Sequence, residues 1–207
     1  MATAQFAPDG GPQYHDATAS VEQRAAPRYT LLLRQARLHC RTGEFLCVIR
    51  DVSETGLSIR TFHPLPPDHR MAIELVEKRP HLIEKVWEKE GEAGFRFKDA
   101  VSLDELLADD ARFPRRQFRI EIDYPVEMCA DGVISRASFT NLSQQGACLR
   151  CDRLLARDQL LSLRSPMLPG IEAKVRWRRD NIHGLVFEQT FSFRDFANLV
   201  ARIQSVA

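Results

Sequence analysis

Short runs in which apolar and polar residues alternate recur along most of the chain and predict β-strands. Leu57 and Ile59 alternate with polar neighbours, and residues 45–49 form an apolar run of strand length. The full set of predicted strands covers residues 31–34, 45–49, 57–60, 72–75, 86–87, 95–97, 120–126, 138–140, 147–149, 161–163, 173–177 and 185–187. Gly, Pro and Asp separate these segments, six in each half. The pattern therefore predicts a mainly β protein with two small six-stranded antiparallel barrels.

The second half of the chain repeats the first at an offset of about 90 residues. The segment DVSETG at 51–56 matches NLSQQG at 141–146, and Trp87 matches Trp177. The matches fall on turn residues and bulky anchors, which chance does not favour. Two copies of one fold are the best explanation of this pattern.

The repeat also predicts where the domains begin and end. We expect a first domain over residues 21–110 and a second over residues 111–207. Residues 1–20 are rich in Ala, Gly, Asp, Gln and Thr, a composition typical of a disordered tail.

A helix is predicted after the last strand of each copy. Ser102 and Glu105 form a capping-box pattern, and Ser192 with Asp195 is an acidic near-equivalent. Apolar residues then recur at helical spacing in the second copy, at Phe193, Phe196, Val200 and Ile203. We expect this apolar face to pack on a barrel.

Composition narrows the classes of function. Hydrophobic residues make up 44% of the chain and charged residues 28%, and the formal net charge is +1. A chain of this balance has no overall attraction to nucleic acid or to an acidic membrane surface. No apolar stretch is long enough to span a bilayer, and residues 1–20 lack the pattern of a signal peptide. We therefore expect a cytoplasmic protein whose five cysteines are reduced.

The common signatures of catalytic and metal sites are weak in this sequence. Cys148 and Cys151 form a Cys-x-x-Cys pair, but a zinc site would need a second pair at suitable spacing. The six histidines show no metal-binding spacing, and no Gly-rich phosphate loop occurs. We therefore predict no metal, no cofactor and no enzymatic activity, and we expect the two cysteines to be buried thiols.

Each copy pairs an arginine motif with a polar turn motif. In the first copy RAAPR at 24–28 precedes DVSETG, and in the second RRQFR at 115–119 precedes NLSQQG. The turn motif begins 23 residues after the last arginine in the first copy and 22 residues after it in the second. Either motif alone would be weak, but both occur twice at nearly the same separation.

These motifs resemble those of the PilZ family, and the Trp…Gly-x-x-Phe segments resemble the later strands of that family. The resemblance covers residues 22–207. It implies a β-barrel fold and a role in binding the bacterial second messenger cyclic di-GMP. The ligand-binding residues that it implies are Arg24, Arg28, Asp51, Ser53 and Gly56 in the first copy, and Arg115, Arg116, Arg119, Asn141, Ser143 and Gly146 in the second.

The chemistry of these residue types suits such a ligand. An arginine guanidinium presents a planar fork of donors that matches phosphate oxygens and the O6/N7 edge of guanine. One arginine–guanine pairing is worth about 1–3 kcal/mol of discrimination. Asp51 can accept hydrogen bonds from a guanine Watson–Crick edge, and Ser53 can donate to a phosphate or bond the backbone locally. Gly56 is expected to permit a positive φ and a close approach of the ligand.

The two copies differ at the acidic position. Asp51 is replaced by Asn141, which offers one side-chain acceptor oxygen where a carboxylate offers two. In compensation, the second arginine motif is denser, because Arg116 joins Arg115 and Arg119. We expect both copies to bind ligand. The alternative that one copy is a structural remnant stays open.

A receptor must convert binding into a change of shape or contact. The second arginine motif follows the predicted helix of the first domain directly, so ligand bound there would clamp the segment between the domains. This would create or hide a surface for a downstream protein partner.

Two other functions remain open from sequence alone. A small barrel with arginines and aromatic residues can bind single-stranded nucleic acid, although the near-neutral charge makes DNA an unexpected partner. The chain can also be a protein-interaction module that keeps the fold and has lost one or both ligand sites. Titration with cyclic di-GMP separates these alternatives from the receptor hypothesis.

Overall fold

The computed structural model describes residues 29–75, 79–107 and 117–205, apart from the side chains of residues 29–33, 105 and 107. The tail predicted over residues 1–20 lies outside these ranges. Within them, the chain folds into two closed antiparallel barrels of six strands each, as predicted.

The first barrel is closed in the order β1-β2-β3-β6-β5-β4. Its strands are β1 (Tyr29–Cys40), β2 (Gly43–Ser53), β3 (Gly56–Arg60), β4 (Arg70–Leu75), β5 (His81–Lys89) and β6 (Glu92–Phe97). A five-residue helix follows, α1 (Leu103–Leu107). We call this unit barrel 1.

The second barrel is closed in the order β10-β11-β12-β9-β8-β7. Its strands are β7 (Ile120–Ala130), β8 (Val133–Leu142), β9 (Gly146–Arg150), β10 (Leu160–Ser165), β11 (Leu168–Arg179) and β12 (Ile182–Phe187). The twelve-residue helix α2 (Phe193–Gln204) follows, so that barrel 2 repeats the element order of barrel 1.

The strands form where apolar side chains alternate into the barrel interior. In β1, Ala36 and Leu38 are fully buried, whereas the alternate residues Arg37 and His39 face outward. The predicted strand over residues 31–34 was therefore too short, because the same alternation continues to Cys40. Each barrel encloses its own core of aliphatic and aromatic residues.

The helix α2 belongs to both barrels. Its start is capped as predicted, because the Ser192 hydroxyl accepts a hydrogen bond from the Asp195 amide at 3.1 Å. Phe196 and Val200 on its apolar face are buried in the core of barrel 2, whereas Ala201 packs into the core of barrel 1. In the described part of the chain, neither helix has the length and apolar character needed to cross a membrane.

A second contact between the barrels joins the end of α2 to the β1–β2 hairpin. The Gln204 side-chain amide pairs with the Glu44 peptide unit, accepting from its N–H at 2.6 Å and donating to its carbonyl. Gly43 makes room for this contact, because a Cβ at that position would lie 1.5 Å from Gln204 Oε1. Leu46 on the same hairpin is fully buried against the core of barrel 2. The hairpin and the helix therefore hold the two barrels together.

Candidate ligand-binding sites

The turn motif of each copy is a tight hairpin between two strands. In barrel 1, Ser53 at the end of β2 pairs with Gly56 at the start of β3, and its hydroxyl donates to the Gly56 carbonyl at 3.2 Å. In barrel 2 the Ser143 amide and hydroxyl both donate to the Gly146 carbonyl, at 2.8 and 2.9 Å. Both serines are about 5% exposed. Of the two roles considered for Ser53, local bonding is therefore the one that the structure supplies.

Glycine is required at both motif positions, for a reason that differs from the positive φ predicted for Gly56. Positive φ angles occur at other glycines in the described residues, such as Gly43 and Gly132, but not at Gly56 or Gly146. A Cβ at Gly56 would lie 2.5 Å from the Phe95 carbonyl oxygen, and one at Gly146 would lie 2.1 Å from the Leu185 carbonyl. The positive-φ prediction was therefore wrong. Glycine is required here because the neighbouring strand approaches too closely for any side chain.

The acceptor position of the first motif is already engaged by a neighbour. Asp51 lies on β2, half-buried, and faces Thr30 on β1 and Ser58 on β3. The Ser58 hydroxyl donates to Asp51 Oδ2 at 2.8 Å. This bond fixes the carboxylate and leaves its second oxygen as the acceptor available to a ligand.

The acceptor position of the second motif lacks that partner. Asn141 pairs with Cys148 on β9, which occupies the place of Ser58 in the repeat. Asn141 Oδ1 is buried, and the described residues supply no hydrogen-bond donor to it. An orphaned buried acceptor of this kind costs about 1–3 kcal/mol. Asn141 therefore carries an acceptor that no described residue satisfies.

The described part of the second arginine motif lies beside this acceptor. Ile120, which begins β7, pairs with Leu142, and the next residue, Glu121, pairs with Asn141. Arg119 directly precedes Ile120 and is exposed. The structure therefore brings Arg119 close to the NLSQQG turn.

The other predicted arginines cannot be placed in the same way. Arg24, Arg28, Arg115 and Arg116 lie outside the described residues. Tyr29 and Thr30 pair with Val52 and Asp51, so the chain reaches the first turn motif directly after Arg28. The site role of these four arginines remains a prediction.

A cavity of about 1260 Å³ lies between the barrels, and one of its lining residues, Phe191, is hydrogen-bonded to Gln144 of the second turn motif. Its walls combine the loop before β4 with α2, and they include Phe62, Pro66, Phe191 and Leu199. Within the described part of the chain, none of the predicted ligand residues lines this cavity. Its size alone does not make it a binding site.

The interior of barrel 2 contains a histidine for which the sequence pattern predicts no role. His183 is fully buried on β12, and its Nδ1 lies 3.6 Å from the thiol of Cys151. Burial lowers the pKa of His183, although main-chain carbonyls at Leu149 and Asn181 oppose the shift. Burial also raises the pKa of the Cys151 thiol. Cys148 and Cys151 are both buried and free, as predicted, and the described residues contain no cluster of three or more potential metal ligands.

Comparisons with known proteins bear on both copies of the motif. The family model described as PilZ domain matches residues 22–108 and again residues 113–204. A search among curated proteins finds no match.

Several solved structures match this chain at low identity and with TM-scores below 0.5. PlzA of Borreliella burgdorferi in complex with c-di-GMP is 13% identical, with a TM-score of 0.37, covering 82% of this chain and 86% of that one. YcgR of Escherichia coli in complex with c-di-GMP is also 13% identical, with a TM-score of 0.32 and coverage of 84% and 83%. The Bacillus subtilis inhibitor of motility MotI/DgrA is 17% identical, with a TM-score of 0.32 and coverage of 83% and 93%. The family assignment of this chain therefore depends on the match to the family model and on the repeated motifs, and not on these solved structures.

Proposed function

The chain belongs to the PilZ domain family, and on that premise we propose that it is a receptor that binds cyclic di-GMP on each of its two barrels. The observation that carries the proposal is the placement of Arg119 beside the NLSQQG turn, where Asn141 presents a buried acceptor without a donor. The family match supports the same arrangement in barrel 1 around Asp51. No catalytic family is indicated, and the proposed role is not enzymatic.

Each residue type has a distinct part in the proposed sites. The arginines bind phosphate and guanine through their planar donors. Asp51 and Asn141 accept from a guanine edge, and their position is fixed by the hairpins that Ser53 and Ser143 brace. Gly56 and Gly146 keep the adjoining strands close, so that the turn has a single shape. The ligand is an intracellular second messenger of bacteria, so a cytoplasmic location is part of the proposal.

Titration calorimetry with cyclic di-GMP tests this proposal. Arg28→Ala and Arg119→Ala should each weaken their own site about tenfold or more, which corresponds to ~1.4 kcal/mol for one lost charge-assisted contact. Arg70→Ala and Arg157→Ala are matched controls, because both arginines are more than 80% exposed and pair within their own barrel. Neither control should change the affinity.

The same titration separates the competing functions. No heat with cyclic di-GMP in the wild-type chain would leave a protein-interaction module as the better reading. Binding of an oligonucleotide with a steep salt dependence would favour a nucleic-acid-binding module instead.

The proposal extends to what binding does. The second arginine motif joins the two barrels, so ligand bound there would fix the segment between them and set their relative position. This would create or hide a surface for a downstream protein. Small-angle X-ray scattering should show a change in profile when the wild-type chain is saturated with cyclic di-GMP. Identical profiles with and without ligand would rule out a large reorientation.

A further inference from the structure

An arginine of barrel 1 holds the end of the second arginine motif. Arg37 on β1 donates from Nη1 to the Arg119 carbonyl at 3.1 Å. Its guanidinium also lies over the ring of Phe118, 5.6 Å from the centroid. Phe118 is 6% exposed and packs in the core of barrel 2. One side chain of barrel 1 therefore contacts two consecutive residues at the entrance of barrel 2.

The guanidinium of Arg37 is itself held in a fixed position. Its Nη2 donates to Glu74 Oε2 at 2.8 Å, and its Nη1 lies 3.1 Å from Glu44 Oε2. His39 Nε2 contacts the same oxygen of Glu74 at 2.6 Å. The side chain of Arg37 is only 17% exposed. With carboxylates on two neighbouring strands, Arg37 is prevented from moving away from Arg119.

The internal repeat shows that this arrangement is not part of the common barrel design. Arg37 pairs with Leu46 and Glu74 in barrel 1, and the corresponding position in barrel 2, Glu127, pairs with Arg136 and Arg164. The charges of the cross-strand pair are reversed in the second copy. The arginine is therefore present only in the copy whose outer face meets the second arginine motif.

The contact leaves the ligand-binding group of Arg119 free. Arg37 bonds the main-chain carbonyl of Arg119, and the Arg119 residue stays exposed. The contact therefore fixes the backbone from which the Arg119 guanidinium projects without competing for that guanidinium. A segment ordered before binding loses less conformational freedom when ligand arrives, which raises affinity.

We propose that Arg37 is a positioning residue of the second cyclic di-GMP site, so that barrel 1 completes a site whose ligand contacts belong to barrel 2. This inference rests on the proposed function. It makes affinity at the second site depend on the docking of the two barrels, whereas the first site lies at the opposite end of β1, where Thr30 pairs with Asp51. Affinity at the second site then depends on Arg37, whereas affinity at the first site does not.

The test compares the two sites in the full-length chain by calorimetry with cyclic di-GMP. Asp51→Ala isolates the second site, and Asn141→Ala isolates the first. Adding Arg37→Gln should raise the Kd of the second site about tenfold, a factor that corresponds to ~1.4 kcal/mol. The Kd of the first site should stay within about twofold, because Arg37 and Thr30 pair with Leu46 and Asp51, five residues apart on β2. That separation is roughly 17 Å at ~3.3 Å per residue.

Two further variants separate positioning from stability. Arg70→Gln removes another arginine–glutamate pair from barrel 1, with Glu84, and should change neither Kd. Arg37→Glu combined with Glu74→Arg exchanges the charges as barrel 2 does at Glu127 and Arg164. This double variant retains a cross-strand ion pair but removes the arginine beside Phe118 and Arg119. It should weaken only the second site, and it carries the test if Arg37→Gln does not fold.

The outcomes distinguish this inference from the function on which it rests. No binding by the Asp51→Ala chain with Arg37 intact would refute the second site itself. Binding by that chain with the same Kd before and after Arg37→Gln would refute only the role of Arg37. Equal weakening of both sites by Arg37→Gln would also overturn it, because that result indicates a general loss of stability.

Discussion

At the scale of single residues, the two turn motifs differ in how their acceptor is satisfied. Asp51 receives a hydrogen bond from Ser58, whereas Asn141 faces Cys148 and has no donor among the described residues. A thiol is a weak donor compared with a hydroxyl. The second copy therefore has a buried acceptor that is left without the donor present in the first copy.

Restoring the missing donor should stabilise the folded chain. Cys148→Ser places a hydroxyl where Ser58 stands in barrel 1, and its bond to Asn141 should raise the free energy of unfolding by about 0.5–1.5 kcal/mol. Urea unfolding without ligand measures this change.

Cys47→Ser is the matched control for that substitution. Cys47 is fully buried among apolar residues, so a hydroxyl there should lower stability by about 1–3 kcal/mol. A loss of stability in Cys148→Ser as large as that in Cys47→Ser would show that the hydroxyl does not reach Asn141.

At the scale of strands and helices, the alternation of apolar residues predicted all twelve strands. It worked because an antiparallel barrel buries one face of most strands, which gives those strands a period of two. The strands β2 and β9 carry runs of buried residues instead. The apolar pattern predicted strands that were too short in β1 and β11, because outward-facing arginines and a proline interrupt the run of apolar residues there. Trp177 over Gly184 shows why the matched Trp and Gly recur, since a Cβ on that glycine would lie 2.1 Å from the indole.

The candidate sites were predictable where the determinants are local. The turn motif is a hairpin whose serine bonds two or three residues away, and short sequence spacing carries that information. The positive φ predicted for Gly56 was wrong, because the constraint at this position is the close approach of β6, about forty residues later. Arg37 was missed altogether. Its contact with Arg119 spans 82 residues, and its repeat equivalent is a glutamate.

At the scale of the whole molecule, hydrogen bonds and packed aromatic rings join the two barrels. Gln204 at the end of α2 bonds the hairpin at Glu44, and Arg37 bonds the segment that enters barrel 2. Phe62 of barrel 1 also packs edge-on against Phe193, with centroids 6.0 Å apart. The internal repeat predicts two domains in tandem, but pairings between distant segments are not visible in a local pattern. The proposed second site lies at this junction, whereas the first lies away from it.

The most direct test of the two-site account is a crystal structure of the full-length chain grown with cyclic di-GMP. The account predicts ligand at both turn motifs, with Arg28 and Asp51 contacting one molecule and Arg119 and Asn141 contacting another. Arg37 should still hold the Arg119 carbonyl in that complex. Ligand found only in the cavity between the barrels, with Asp51 and Asn141 untouched, would contradict the account.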